Sequence, residues 1–448
     1  MSFARYPTYK DSGVEWLGQV PEHWSLPKLK SIASFSGGGT PSRENLAYWN
    51  GDIPWVSPKD MKVERIVGAE ESITNEGLKS SASNLLPLGR VLMVVRSGIL
   101  KHTIPVAINE VEVVLNQDMK ALNFDARKCV GRFFLRWVQG HNDQLLLAWA
   151  KQGATVESIE HTYLAETVMP LPDIAEQTQI AAFLDCETAK IDGLVAEQRR
   201  LMALLKEKRQ AVISHAVTRG LNPDAPMKQS GIEWLGEVPA HWEVIRLKQL
   251  VVEGVAGPYG ASLTKGMYSA SGYRVYGQQQ VIPDDFSIGD YFISAEKYKE
   301  MHRYKVFPDD LLVSVMGTIG QVAVVPTSIA PGIINPRLVR YRCGPLIQPR
   351  YLQRVLMSRQ HQEHLALESR GTTMDGLNMQ TLGRVPVPIP PDTEQLQILE
   401  YVADQARKFD DLTAEAQRAI DLLQERRTAL ISAAVTGQID VRSAVASA

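Results

Sequence analysis

Residues 10–24 (KDSGVEWLGQVPEHW) return as residues 228–242 (KQSGIEWLGEVPAHW), identical at eleven of fifteen positions and displaced by 218. The same displacement carries Pro170 onto Pro388, Glu176-Gln177 onto Glu394-Gln395 and Asp192 onto Asp410. It also carries Gly153 and Thr155 onto Gly371 and Thr373, and AVISHAVT (211–218) onto ALISAAVT (429–436). Self-similarity at a fixed period means one structural plan used repeatedly. The chain therefore divides into a globular part (1–170), a long helix (171–222), a second globular part (223–390), a second long helix (391–440) and a tail (441–448).

The helices carry their own signals. Asp173 with Glu176, after Pro170 and Pro172, resembles a capping box. A heptad spacing follows, with one seam at Ile180, Glu187, Leu194, Leu201 and Lys208 and another at Leu184, Ile191, Gln198, Leu205 and Val212. Gly220 is placed to stop the helix. The second copy offers Ile398, Leu412 and Ala419 beside Val402, Phe409, Ala416, Leu423 and Leu430. About 40 residues make a rod of roughly 60 Å. Each rod has an apolar seam and no partner of its own. Two unrelated surface helices would leave both seams wet, so the rods are expected to pair as a coiled coil. Antiparallel pairing returns each rod to its own end and relates the halves by a pseudo-two-fold axis. Short β-rich runs such as GRVLMVVRSG (89–98), DLLVSVMGTIG (310–320) and GIINPRLVRY (332–341) punctuate the globular parts. The expected class is α+β: two mixed α/β domains separated by two long helices paired as an antiparallel coiled coil.

Charge narrows the function. The net charge of −2 is unlike a protein that coats DNA. Residues 1–170 balance 18 basic against 18 acidic side chains, residues 223–391 carry 17 against 15, and 392–448 carry 6 against 10. Nucleic-acid binding must then come from local patches or be shared with a partner. Cys129, Cys186 and Cys343 form no CxxC pair, which fits a reducing cytoplasm. The start, MSFARYPTYKDSG, has no apolar targeting segment, and no run of about 18 apolar residues exists.

Several segments together resemble the specificity subunits of type I restriction–modification systems. They are SGVEWLGQVPEHW and SGIEWLGEVPAHW, GGGTPSRENLAYWNGDIPWVSPKDM (37–61), VYGQQQVI (275–282), and the helix entries PLPDIAEQTQIAAFLD (170–185) and PIPPDTEQLQILEYVAD (388–404). The resemblance implies that each globular part is a target-recognition domain for double-stranded DNA. It implies that the helices are a spacer and dock two methyltransferase subunits, with two restriction/translocase subunits completing the complex. It implies a bipartite target, and a non-catalytic chain with no cofactor of its own, the methyl donor and ATP belonging to partner subunits.

Subtracting one copy from the other sorts the residues. Side chains common to both cannot distinguish two half-sites. Trp16, Leu17, Gly18, Pro21 and Trp24, with Trp234, Leu235, Gly236, Pro239 and Trp242, are therefore assigned to the fold rather than to base stacking. Side chains that differ are candidates for DNA contact. In the first copy these are Arg43, Asn45, Lys59, Lys62, Arg96, Lys101, His102, Asn116 and Gln117. In the second they are Tyr259, Lys265, Arg274, Tyr276, Gln278, Gln279 and Gln280, with Lys297, Lys299, Arg303 and Lys305 from a run that interleaves bases and aromatics. Arg and Lys suit guanine edges and phosphates, and Asn and Gln suit adenine edges.

Catalytic signatures are missing. No GxxxxGK[ST] loop exists, and Gly37-Gly38-Gly39-Thr40-Pro41 reads as a turn. Asn335-Pro336-Arg337 lacks the second proline and the aromatic of a methyltransferase motif. Asp60-x-Lys62 and Asp118-x-Lys120 are only echoes of a nuclease motif, and His361 with His364 reads as a pair of surface histidines without a third metal ligand. The competing readings are a coiled-coil scaffold without DNA affinity and a free-standing methyltransferase or nuclease.

Overall fold

A computed structural model describes residues 3–151, 153–370 and 376–443, so the aligned pair Gly371 and Thr373 lies outside the described residues. The chain forms two compact units, Met1–Gln198 with Arg418–Ala448 and Arg199–Gln417. These cut across the linear division, because each unit takes the first half of one long helix and the second half of the other. That exchange is what antiparallel pairing produces.

In unit 1, eight strands matter. They are β1 (Ala33–Gly37), β2 (Trp49–Val56), β3 (Arg65–Ile66), β4 (Glu71–Ile73), β5 (Val91–Val94), β6 (Val106–Asn109), β7 (Val114–Leu115) and β8 (Met119–Phe124). They build a five-stranded sheet in the order β1-β8-β5-β6-β3 and a three-stranded sheet in the order β4-β2-β7. The run Val-Leu-Met-Val of β5 is buried throughout, as a continuous apolar strand covered on both faces requires. Helix α1 (Gly131–Gly140) packs Phe133, Phe134 and Trp137 into the same core as Trp24 and Trp149.

Unit 2 repeats this plan with β9 (Val251–Ala256), β10 (Tyr273–Tyr276), β11 (Phe292–Ile293), β12 (Leu311–Ser314), β13 (Val322–Val324), β14 (Gly332–Ile334) and β15 (Leu338–Cys343). Its sheets run β9-β15-β12-β13 and β11-β10-β14, so unit 1 differs by one added edge strand, β3. In both units the smaller sheet contains one parallel pair, β2 with β7 and β10 with β14.

The long helices are α2 (Ile174–Arg219) and α4 (Asp392–Val435), with the unit 2 helix α3 (Pro349–Leu356) falling between them in the chain. Asp173 caps the Glu176 N–H at 2.8 Å, but the Glu176 carboxylate does not reach back to complete a capping box. It accepts instead from Tyr6 Oη (2.6 Å) and Trp24 Nε1 (3.1 Å) and pairs with His23 (2.8 Å). Gln177 accepts from the Val130 N–H and donates to the Lys128 and Pro172 carbonyls. Gln395 does the same with Gln348, Leu346 and Pro390. The repeated Glu-Gln pair is thus a latch that ties each helix start to its own globular part. Gly220 and Gly437 end the helices at φ +77° and +73°, a conformation that costs glycine nothing.

The helix seam departs from the expected one. Leu184, Ile191, Gln198, Leu205 and Val212 all lie at least half-buried, as predicted. The second row is displaced by one residue: Leu194 is 53% exposed and Leu201 43%, while Thr188 and Val195 are buried. Likewise Leu412 is exposed and Thr413 half-buried. Thr188 and Thr413 turn their hydroxyls onto the carbonyls of Leu184 and Phe409, at 2.6 and 2.7 Å. A threonine that satisfies its own hydroxyl can occupy a seam that an apolar count assigns to the neighbouring leucine. Unit 1 pairs Asp192 with Arg427 (3.0 Å) and unit 2 pairs Asp410 with Arg209 (2.7 Å), the same contact displaced by 218 in each partner.

The histidines His141 and His361 are a buried pair of equivalents. His141 bonds the Trp137 carbonyl, and His361 bonds Ser358 and the Pro386 carbonyl. Trp16 and Trp234 pack edge-on against them, which gives those shared tryptophans their structural role. His361 is therefore not a surface histidine, and His364 stacks on Trp234 at 4.5 Å. Burial lowers both buried imidazoles to about 4. Their unfolded value is near 6.5, so between these limits the unfolded chain binds more protons, and stability falls as pH falls. Each unit is expected to keep full stability above about pH 6.5 and to lose about 3 kcal/mol from its histidine by about pH 4. Denaturant titrations from pH 7.5 to 4.5, with His141→Gln and His361→Gln flattening the slope in their own units, check this.

Candidate nucleic-acid interface

In unit 1 the ends of β1, β2, β5 and β7 meet at the start of β8. Gly38 crosses so close to the Asn116 carbonyl that a Cβ would lie 2.1 Å from it. The Asn116 N–H donates to Val56, and the Val95 and Arg96 N–H groups donate to Asp118. Thr40 donates its hydroxyl to Gln117 Oε1. The loops carrying Thr40, Ser57, Arg96 and Gln117 therefore form one edge. Arg96 Nε donates to Asp118 at 2.6 Å.

Other candidates of unit 1 are engaged elsewhere. Arg43 lies over the Trp49 ring at 3.9 Å and pairs doubly with Glu71. Asn45 caps a short turn through the Ala47 N–H. Lys101 pairs with Glu157 at 3.3 Å. Lys59, Lys62 and His102 are exposed. Asn116 is buried and its side chain accepts from the Asp118 N–H, so it shapes the turn and presents no edge to DNA.

Unit 2 builds the same edge. The Asn335 N–H donates to Tyr276, the Val315 N–H donates to Arg337, and Gly257 crosses against the Asn335 carbonyl. A hollow of about 350 Å³ opens here, lined by Tyr268, Gln278, Gln279, Tyr291, Asn335 and Arg337. Gln278 donates to Ser314 Oγ at 2.6 Å and accepts from Arg337 at 3.4 Å. Gln279 is exposed beside it.

Two candidates of unit 2 are corrected by burial. Tyr276 is fully buried, with its hydroxyl donated to the Ala330 carbonyl. Gln280 is buried and accepts from the Gly277 N–H at 2.8 Å. In unit 1 Asp60 accepts from the Ser57 N–H in the same way, also at 2.8 Å. Gln280 and Asp60 differ in chemistry yet perform one capping task, which is why subtraction misassigned Gln280. Arg274 is spent on the Ser287, Ile288 and Gly289 carbonyls.

The basic run is only partly available. Tyr298 stacks on Tyr273 at 3.9 Å, with Lys305 Nζ 4.4 Å from its ring, so no base can stack there without displacing them. Lys297 pairs with Glu300, whereas Lys299, Arg303 and Tyr259 are exposed. Lys265 begins a short turn, Lys265–Met267, and its side chain lies outside the described residues. The hollow also holds Arg337, Tyr268 and Tyr291, which subtracting one copy from the other does not nominate. Arg337 corresponds to Asp118 at a displacement of 219, not 218, so a fixed offset pairs it with the wrong residue.

Residues 21–194 and 239–421 match the family described as type I restriction modification DNA specificity domain. The chain is 35% identical over 179 residues to the EcoR124I/EcoR124II specificity subunit of Escherichia coli, spanning 40% of this chain and 42% of that one. It is 26% identical over 242 residues to the MjaIX specificity subunit of Methanocaldococcus jannaschii, spanning 53% of that protein. To the putative MjaX specificity subunit of the same organism it is 22% identical, over 95% of this chain and 96% of the other. Among solved structures, a chain from the complex assembly and conformational transition of the type I R-M system superposes with a TM-score of 0.69 at 16% identity, over 93% of this chain and 98% of that one. The HsdS subunit from Thermoanaerobacter tengcongensis gives 0.54 at 16% identity, over 94% and 98%. At such identities the structural likeness speaks for the fold. The family match covers both globular parts, and the chain belongs to the family of type I restriction–modification DNA specificity subunits.

Proposed function

We propose that each unit reads one half of a bipartite, asymmetric DNA target, and that the chain docks two methyltransferase and two restriction/translocase subunits without catalysing a reaction itself. The observation that carries this reading is one strand-end edge built twice from the same backbone hydrogen bonds and dressed with different side chains. Two unlike readers in one chain suit a target whose halves differ, which a symmetric dimer does not. Exposed Lys59, Lys62, Lys299 and Arg303 suit phosphates, while Arg96, Gln117 and Gln279 suit base edges. The methyl donor and ATP belong to the partners, and the setting is the cytoplasm. A scaffold without DNA affinity is disfavoured by the specificity-domain match across both globular parts. Mapping methylated bases in DNA from cells that hold this chain and its methyltransferase tests the reading: a split motif that depends on the chain supports it.

A further inference from the structure

The two edges differ at one equivalent place. The Val95 N–H bonds the Asp118 carbonyl at 2.8 Å in unit 1, and the Val315 N–H bonds the Arg337 carbonyl at 3.0 Å in unit 2. Asn116 caps the N–H of Asp118 (3.0 Å), and Asn335 caps that of Arg337 (2.9 Å). Asp118 and Arg337 are thus the same position. Across from them, Arg96 in unit 1 corresponds to Met316 in unit 2, since β5 and β12 align two residues further on. One place therefore holds Asp118 facing Arg96 in the first unit and Arg337 facing Met316 in the second. The arginine changes loops, yet each unit keeps one arginine at this spot.

In both cases the arginine is braced. Asp118 takes the Nε of Arg96 at 2.6 Å, and the terminal nitrogens of Arg96 make no hydrogen bond among the described residues. One terminal nitrogen of Arg337 reaches Gln278 at 3.4 Å, and no carboxylate pairs with Arg337 among the described residues. Gln278 is in turn fixed by Ser314 and the Thr318 carbonyl. The neighbouring arginines are spent, Arg274 on carbonyls and Arg340 and Arg342 on Asp310 and Glu253. A planar guanidinium with free, braced donors matches the O6 and N7 acceptors of guanine in the major groove.

Resting on the proposed DNA-reading function, we propose that each half-site contains a guanine read at this spot, by Arg96 in unit 1 and by Arg337 in unit 2. Asp118 is a positioning residue for the first and Gln278 for the second.

The test is base-resolved methylation of a randomised target library by the methyltransferase assembled with the wild-type chain, Arg96→Gln or Arg337→Gln. Each variant is expected to lose about 10- to 100-fold of guanine preference at one position. The two positions must lie in different half-sites, with the other half-site and the spacer unchanged. Arg96→Lys and Arg337→Lys keep guanine as the preferred base with weaker discrimination, and Asp118→Asn weakens the position lost in Arg96→Gln. Unchanged motifs in both glutamine variants, or changes within the same half-site, overturn the assignment. Loss of methylation at every sequence with the complex still assembled also overturns it, because a base reader alters preference. A wild-type chain that yields no split motif overturns the underlying reading, and this inference with it.

Discussion

Asp310→Ala is expected to destabilise unit 2 by about 3–5 kcal/mol, the cost of stripping one partner from a buried ion pair. Asp310 is fully buried and begins the turn into β12. Its carboxylate accepts from Arg340 and from Arg342, each at 3.0 Å, and from the Phe307 N–H at 2.9 Å. Arg340 is itself buried in the middle of β15 and also pairs with Glu253. Removing Asp310 leaves the guanidinium of Arg340 in the core with only the half-exposed Glu253 carboxylate. Unit 1 supplies the control, because its counterpart of Arg340 is the buried Ala121, so the fold does not need charge at this layer. The double variant Asp310→Ala with Arg340→Met should therefore recover much of the loss, giving strong non-additivity in a double-mutant cycle. Hydrogen–deuterium exchange of the β12 and β15 amides under rising denaturant, which reports unit 2 alone, measures both. A loss below about 1 kcal/mol for the single variant would mean that water reaches this pair, contrary to the burial described.

Deleting one heptad from each long helix, residues 199–205 and 417–423, is expected to narrow the spacing of the two half-sites and to leave their sequences alone. We propose that the helix pair sets this spacing. Seven residues rise about 10 Å, close to three base pairs of DNA. The seam continues in heptad phase through Leu184, Ile191, Gln198, Leu205 and Val212 in α2 and through Val402, Phe409, Ala416, Leu423 and Leu430 in α4. Removing seven residues from each preserves that phase. Removing four would rotate the seam out of register and should cost assembly. The DNA helix rotates as well as shortens, so the permitted spacer should shrink by about one to three base pairs, with methylation at the original spacing lost. Unchanged spacing in a complex that still assembles would remove the helices from this role.

Much of this fold is legible in the sequence. The displacement of 218 revealed the duplication, and the proline, Glu-Gln and glycine landmarks of α2 and α4 fell where the helices begin and end. What was hidden has physical reasons. Apolar counting put the second seam on Leu194 and Leu412, although Thr188 and Thr413 bond their own helix carbonyls and so tolerate burial. Insertions inside the globular parts shifted the displacement to 219 and 220, which separated Asp118 from Arg337. Chemical difference does not mean functional difference at Gln280, whose amide performs the turn-capping of Asp60. Burial of Asn116 and Tyr276 depends on strand pairing that no local pattern encodes.

The most direct measurement is base-resolved methylation of genomic DNA from cells expressing the partner methyltransferase subunit with and without this chain. The account predicts a split motif of two unlike short half-sites around an unspecified spacer, methylated only when the chain is present. No new methylation, with the methyltransferase folded and bound to the chain, would contradict the claim that the two units read DNA.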